Sequence, residues 1–282
     1  MPRNNSARMS APTDDHVEEQ KTDLQSILNF VIPTDFVEIP SKGKFYQEGH
    51  PLHNKETIEI KHISAREIDI LTSESLLKKG VALDRMLQSI IIDQNIKIDD
   101  LLSVDKNALI VSSRVTSFGS EYGARMICQS CRKEYETEFD LNDSAIVTEP
   151  GDVDFSENGT FFVELPQTKV MVECRLLTSK DEKSLVERQS KKSKLNLPET
   201  LISDQIKFLI VSLNGVAERG LVDEFVDVMP AADMHFLSKE YEQVMPDVKY
   251  ISETTCTHCG KKNEAEIPFT ANFFWPDRQV HS

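Results

Sequence analysis

The sequence contains no long run of apolar residues. No stretch approaches the roughly 18 apolar residues that a membrane-spanning helix needs. The N-terminal stretch also lacks the apolar core of a secretory signal peptide, so we expect a protein that is made and kept in a cytoplasm. Known catalytic motifs are missing as well, including the nucleophile elbow, the Walker A loop, the dinucleotide-binding glycines and the zinc-protease helix motif. We therefore expect neither an enzyme nor a small-molecule substrate.

Basic residues are fewer than acidic residues. The chain has 32 basic and 47 acidic residues, which gives a net charge of −15. Such a charge repels phosphate backbones and anionic lipids, so it argues against nucleic acid and membranes as partners. One basic cluster stands out, and we interpret it as the solvated end of a helix; its members are Arg188, Lys191, Lys192 and Lys194. The charge favours a protein that meets other proteins.

Cysteine is scarce, but its spacing is informative. Four of the five cysteines form two Cys-x-x-Cys pairs, Cys128 with Cys131 and Cys256 with Cys259. Two thiolates in one tight turn can bind the same tetrahedral ion, and plausible strands flank both turns. The cysteines therefore predict one structural Zn²⁺ site that resembles a zinc ribbon. About half of the chain lies between the two cysteine pairs. A reducing compartment suits this pattern better than a disulfide framework does.

Other interpretations of the cysteines and nearby histidines remain open. The pairs could form redox dithiols or a catalytic zinc site, or the site could have lost its metal. His258 lies inside the second knuckle and could replace a cysteine, although we expect it to face solvent. His50 and His53 could pair on a metal, but such pairs in loops are mostly structural or solvated. Cys174 lies on a predicted strand and is expected in the core.

The two cysteine pairs belong to a longer pattern that occurs twice. A predicted strand ends at a capping-box spacing, Ser64 to Glu67, and the same arrangement recurs at Thr178 to Asp181. Two or three predicted helices follow each strand, and the pair Cys128 and Cys131 then recurs 128 residues later as Cys256 and Cys259. These patterns predict an α+β fold of two related half-units (strand, helices, β-hairpin knuckle) joined through the four-cysteine site.

The predicted organisation has four parts. Residues 1–21 are polar and charged, which is typical of a disordered tail. Residues 22–56 are expected to contain a helix and an irregular arm, because Leu24, Ile27, Leu28 and Val31 recur at helical spacing before Pro33. The first half-unit is predicted at residues 57–150 and the second at residues 151–282.

Two groups of aromatic residues are candidates for binding a partner. They are Phe36, Phe45 and Tyr46 in the arm and Phe273, Phe274 and Trp275 near the C-terminus. Aromatic side chains dominate the energy of many protein interfaces. The alternative is that the C-terminal group packs on the protein's own core.

Several strings of residues resemble the baseplate hub proteins of T4-like contractile-tailed phages. They are Ile39-Pro-Ser-Lys-Gly-Lys-Phe-Tyr46, Gly49-His-Pro-Leu-His53, Glu67-Ile-Asp-Ile-Leu-Thr-Ser73, Leu76-Leu-Lys-Lys-Gly-Val-Ala-Leu-Asp-Arg85, Asp105-Lys-Asn-Ala108, Tyr122 and Phe273-Phe-Trp-Pro276. The resemblance implies a structural or assembly component of the tail baseplate hub, found in the virion or in the host cytoplasm during assembly. Other hub proteins would be its partners. A zinc-ribbon protein that binds nucleic acid is the alternative, and the net charge opposes it.

Overall fold

A computed structural model describes residues 32–142, 145–148, 153, 155–198, 200–267 and 271–274. Within the chain, Thr34–Ser282 forms one unit by its internal contacts. The predicted tail and the predicted helix from Leu24 to Val31 lie outside the described residues. The fold is therefore described from its first strand onward.

The first half of this unit places helices between two β-hairpins. Its elements are β1 (Thr34–Glu38), β2 (Thr57–Lys61), α1 (Ala65–Thr72), α2 (Glu74–Lys78), α3 (Ala82–Ile90), a 3-10 turn (Ile98–Asp100), α4 (Ser103–Phe118), β3 (Glu121–Ile127) and β4 (Glu134–Asp140). Both hairpins are antiparallel.

The second half has a similar order of elements and two additional strand pairings. Its elements are β5 (Ala145–Thr148), β6 (Thr160–Glu164), β7 (Met171–Arg175), α5 (Ser179–Lys194), α6 (Leu201–Leu209), β8 (Ile210–Leu213), α7 (Arg219–Val228), α8 (Ala231–Val244), β9 (Asp247–Thr255), β10 (Lys262–Glu266) and a 3-10 turn (Ala271–Phe274). The additional pairings are β5 with β9 and β7 with β8, and the described strands form small antiparallel sheets. The predicted α+β class is confirmed.

Corresponding elements follow each other in the same order in both halves. The hairpin β1–β2 corresponds to β6–β7, α4 to α8, and the knuckle hairpin β3–β4 to β9–β10. Both predicted capping boxes form: Glu67 accepts the backbone N–H of Ser64 at 3.0 Å, and Asp181 accepts that of Thr178 at 2.9 Å. The recurrence also includes β1 and β6, which carry the similar strings Phe-Val-Glu-Ile-Pro (36–40) and Phe-Val-Glu-Leu-Pro (162–166). The exact boundaries of the half-units stay predictions.

Two local expectations were wrong. The predicted irregular arm contains a regular strand, β1, which pairs with β2 and ends just before Pro40, where a ladder N–H is lost. The helix predicted to carry Ile206 through Val211 ends at Leu209, and the following residues form β8. Ile210 there lies opposite Cys174 in β7. Spacing alone cannot separate a helix end from a short strand of β-branched residues.

A single apolar core draws side chains from both halves. Leu52, Ile60, Met86 and Leu109 come from the first half, and Phe161, Val172, Cys174 and Leu237 come from the second; all have less than 1% of their surface exposed. Cys174 is in the core, as expected. A second, smaller cluster contains Cys128, Cys256 and Tyr135. The cysteine centre thus has its own packing.

Candidate metal centre

Each Cys-x-x-Cys pair lies in the tight turn of a β-hairpin. In the first turn the N–H of Cys128 donates to the carbonyl of Lys133 at 3.0 Å, and in the second the N–H of Cys256 donates to that of Lys261 at 2.9 Å. The turns also share a left-handed residue, Arg132 with φ +57° in the first and Gly260 with φ +70° in the second. The two knuckles therefore have the same backbone geometry.

The four sulfur atoms converge on one point. All four lie within 4.8 Å of one another. The Sγ atoms of Cys128 and Cys259 are 3.7 Å apart, and those of Cys131 and Cys256 are 3.8 Å apart. A Zn–S bond of about 2.3 Å places the corners of a tetrahedral four-sulfur site about 3.8 Å apart. The cysteines are free rather than disulfide-bonded, and they are positioned to hold a metal ion.

The contacts between the knuckles are reciprocal. The first cysteine of each knuckle faces the second cysteine of the other, so Cys128 meets Cys259 and Cys256 meets Cys131. This is the pattern that a two-fold axis produces when the same surface is used by both partners. Here the two partners are corresponding hairpins of one chain, so an ion at this point would join the ends of the two halves.

Burial and hydrogen bonding make the four thiols unequal. Cys128 and Cys256 are buried, Cys131 is half-buried and Cys259 is exposed. The backbone N–H groups of Cys131 and Ser130 point at Cys128 and lower the pKa of its thiol to about 6. The N–H of Lys261 lowers the pKa of Cys259, but partial desolvation by its neighbours and hydrogen bonds with the other three sulfurs raise it to about 11. A metal ion that binds these sulfurs displaces their thiol protons.

Side chains behind the sulfurs hold the two hairpins together. The hydroxyls of Tyr135 in β4 and Thr254 in β9 share a buried hydrogen bond of 2.6 Å. His258 is exposed, as expected, and its Nε2 lies 2.9 Å from the carbonyl oxygen of Glu134 in the other knuckle. Sequence reasoning missed Tyr135 and Thr254; the only available signal is that each lies on a strand flanking a knuckle.

The histidine pair in the arm is occupied by contacts within its own turn. Nδ1 of His50 accepts the N–H of Leu52 at 3.1 Å, and its ring stacks on Tyr46 with centroids 4.5 Å apart. Nδ1 of His53 lies 2.6 Å from the carbonyl oxygen of Tyr46. Within the described residues, the four cysteines are the one group with metal-binding geometry. The turn is held by local hydrogen bonds rather than by a shared ion.

The predicted partner-binding aromatics have different environments. Phe36 is 69% exposed on β1, whereas Phe45 is buried against Phe155 with ring centroids 4.5 Å apart. Tyr46 is also buried. Phe273 and Phe274 are fully buried, and Phe273 packs on Tyr122 with centroids 5.0 Å apart. Trp275 lies outside the described residues. Four of the six thus pack on the protein's own core, and the side chain of Phe36 is exposed to solvent.

Fold and centre together define an α+β protein of two related halves whose ends meet at four cysteines. The chain belongs to the T4 bacteriophage base plate protein family, whose model matches residues 33–275. No curated protein and no solved structure matches the chain. Family membership implies a place in the phage tail and assembly with other tail proteins, and it suggests a structural role. Among the described residues, no helix is long and apolar enough to cross a membrane.

Proposed function

We propose that the protein is a structural or assembly component of the central hub of the baseplate, and that a zinc ion fixes its shape. The observation that carries this proposal is the convergence of four sulfurs from two corresponding hairpins of a baseplate-family protein. Other hub proteins are its partners. It is located in the tail baseplate of the virion or in the host cytoplasm during assembly.

Zinc fits the donor set better than other common ions. A tetrahedral set of four thiolates is typical of zinc or of iron–sulfur chemistry, whereas magnesium and calcium prefer oxygen ligands. Four thiolates also fill the coordination shell of zinc and leave no open position for substrate. A structural ion of this kind stabilises the fold that holds its ligands. The ion would therefore lock the two knuckles together and serve no reaction of its own.

The net charge supports protein partners over nucleic acid. A chain with a charge of −15 has to overcome repulsion from every phosphate it approaches. Zinc ribbons that bind nucleic acid need a basic face, and the basic residues near Lys191 are few. A salt-dependent gel shift at submicromolar protein would reverse this ranking.

Two measurements test the proposal. Metal analysis of the purified protein, prepared without chelator, should give about one zinc per chain. The double variant Cys128→Ser with Cys131→Ser should give almost none, while Cys174→Ala should retain the metal. Cryo-EM of tail particles should then locate the protein in the hub. Less than about half a zinc per chain would reject the zinc site, and absence from both the baseplate and complexes with hub proteins would reject the hub role.

A further inference from the structure

The turn between α5 and α6 exposes several large apolar side chains together. We call residues 191–198 and 200–202 the tip. Leu195 and Ile202 are 69% and 61% exposed, and Leu197 and Leu201 are each more than half exposed. Apolar side chains scattered singly on a surface are ordinary, but four exposed ones within eight positions of the chain concentrate apolar surface at one turn.

The tip is held in one conformation by its own hydrogen bonds. The N–H of Leu197 donates to the carbonyl of Lys192 at 2.9 Å, and Asn196 adopts a left-handed φ of +52°. These features form a Schellman end to α5. Asp204 in α6 accepts from Lys192 at 2.6 Å and from the hydroxyl of Thr200 at 2.7 Å. The apolar side chains therefore project from an ordered base, which reduces the entropy lost on binding.

At the tip, the helices of the second half differ in length from the corresponding helices of the first half. Its α5 has 16 residues, whereas the corresponding α1 has 8 and is followed by the short α2. The turn that follows α2 ends at Gly80, and Leu77 is its exposed apolar side chain, at 40%. Insertions in one copy of a repeat commonly carry the binding surface. The longer connection at the end of α5 thus adds Leu195 and Leu197, which lie beside Leu201 and Ile202 at the start of α6 in the sequence.

The rim of the tip is basic in a strongly acidic protein. Lys191 and Lys194 are exposed, and neither forms an ion pair among the described residues. Arg188 lies one turn earlier and stacks over the ring of Phe208 at 4.7 Å. Exposed ammonium groups beside apolar side chains complement a surface that is apolar and acidic.

We propose that the tip binds the apolar face of an acidic amphipathic helix from another protein. The tip consists of helix ends and a turn, so it offers apolar side chains rather than a strand edge, which favours contact with the apolar face of a helix over β-strand addition. The leucines and Ile202 would contact the apolar face, and Lys191 and Lys194 would pair with flanking carboxylates. This proposal rests on the proposed function, because it assigns the partner surface of an assembly protein.

A pair of synthetic peptides provides the probe. Both are helices of about 18 residues (five turns) with the same leucines; one carries Glu and the other Lys on its polar face. Fluorescence anisotropy with the zinc-loaded full chain should show the Glu peptide binding about tenfold or more tighter than the Lys peptide. Leu197→Ser with Ile202→Ser should weaken this binding about tenfold, and Lys191→Glu with Lys194→Glu should reverse the preference.

Matched controls separate the tip from general surface effects. Val228→Ser removes an even more exposed apolar side chain elsewhere, and Lys239→Glu reverses an exposed charge on α8; both should bind like the parent protein. Circular dichroism and zinc content should show that every variant is folded. Failure of peptide binding in a zinc-loaded protein that still enters baseplates would reject this proposal alone.

Three results would overturn the acidic-helix assignment. The first is equal binding of both peptides, or binding that the tip variants leave unchanged. The second is concentration-dependent self-association in sedimentation that Leu197→Ser with Ile202→Ser abolishes, which would make a second copy the occupant. The third is co-flotation with vesicles of phosphatidylglycerol that the same variant abolishes, which would make an anionic membrane the occupant.

Discussion

Asp105 and Asp233 occupy the same place in the two halves, and both are fully buried. Each is the third residue of its helix, α4 or α8, and each binds the turn that follows a corresponding strand, β1 for Asp105 and β6 for Asp233. Asp105 accepts the N–H and hydroxyl of Ser41 at 3.0 and 2.6 Å. Asp233 accepts the N–H and hydroxyl of Thr168 at 2.9 and 2.8 Å. The same contact, a buried aspartate of a helix that accepts hydrogen bonds from the turn after a strand, thus occurs in both halves.

The two helices need these carboxylates. Their N-cap residues, Leu102 and Pro230, form no side-chain cap, and an anion in the first turn interacts favourably with the helix dipole. Burial raises the pKa of Asp105. Burial also acts on Asp233, but the backbone N–H groups of Gln167 and Thr168 donate to its carboxylate and hold its pKa below the usual range. Asp233 is therefore the better residue for testing whether an ionised, buried carboxylate stabilises the contact between turn and helix.

Asp233→Asn should lower the free energy of unfolding by about 2–3 kcal/mol. The amide keeps one acceptor oxygen, but its NH₂ group must then face N–H donors that the carboxylate had satisfied. Urea unfolding at pH 7 measures the change, and the exposed Asp69→Asn in α1 is the control. If Asp233→Asn lost no more free energy of unfolding than the control, the carboxylate would not stabilise this contact.

Some features could be predicted from the sequence because they are local. Both sulfurs of a knuckle come from one turn, so the spacing of Cys128 and Cys131 is enough to orient them. The approach of Cys128 to Cys259 depends instead on how the halves meet, and distant contacts such as Tyr135 with Thr254 decide that. Asp105 looks like surface charge in sequence, because its partner Ser41 lies 64 positions away.

The aromatic residues illustrate the same limit. Phe45 and Phe36 lie in one short segment, yet one is buried against Phe155 and the other is exposed on β1. Composition predicts that such side chains find an apolar surface, but it does not distinguish the protein's own core from a partner. The exposed leucines of the tip were missed for this reason, since their spacing is equally typical of a buried helix end.

Removal of the proposed zinc ion should loosen the contact between the knuckles and destabilise the protein. We expect a strong zinc chelator to lower the melting temperature by about 5 °C or more, because protonated thiols cannot replace the bonds to the ion. Differential scanning calorimetry measures the shift. Cys259→Ser should melt at the lower temperature with or without chelator, whereas Cys174→Ala should remain chelator-sensitive. An unchanged melting temperature in the parent protein would contradict a structural ion.

Glu67 should make stability depend on pH in the acid range. Its buried carboxylate accepts from Ser64, Lys61 and Ser89, and although burial raises its pKa, these donors lower it from 4.5 to about 2. Since the pKa is lower in the folded state, the contribution of Glu67 is complete above about pH 4.5 and is lost as the pH falls towards 2.

Glu67→Gln should therefore flatten the fall in stability between about pH 4.5 and pH 2, and should cost about 2 kcal/mol at pH 7. Urea unfolding at a series of pH values measures both effects. The control is Glu74→Gln, because the pair of Glu74 with Lys78 is highly exposed and should contribute little. Parallel pH curves for the parent and Glu67→Gln would show that this carboxylate is not the acid-sensitive group.

Substituting the left-handed residue of each knuckle should change the free energy of unfolding in opposite directions. A left-handed backbone costs a residue with a side chain about 1 kcal/mol, and glycine escapes this cost. A Cβ at Gly260 meets no atom within 4 Å, so Gly260→Ala should destabilise the zinc-loaded protein by about 1 kcal/mol through the backbone alone. Arg132→Gly should stabilise it by up to about 1 kcal/mol, because strain is relieved at φ +57°. Urea unfolding measures both, with Lys133→Ala as a neutral neighbour, and a destabilising Arg132→Gly would mean that its side chain holds the knuckle.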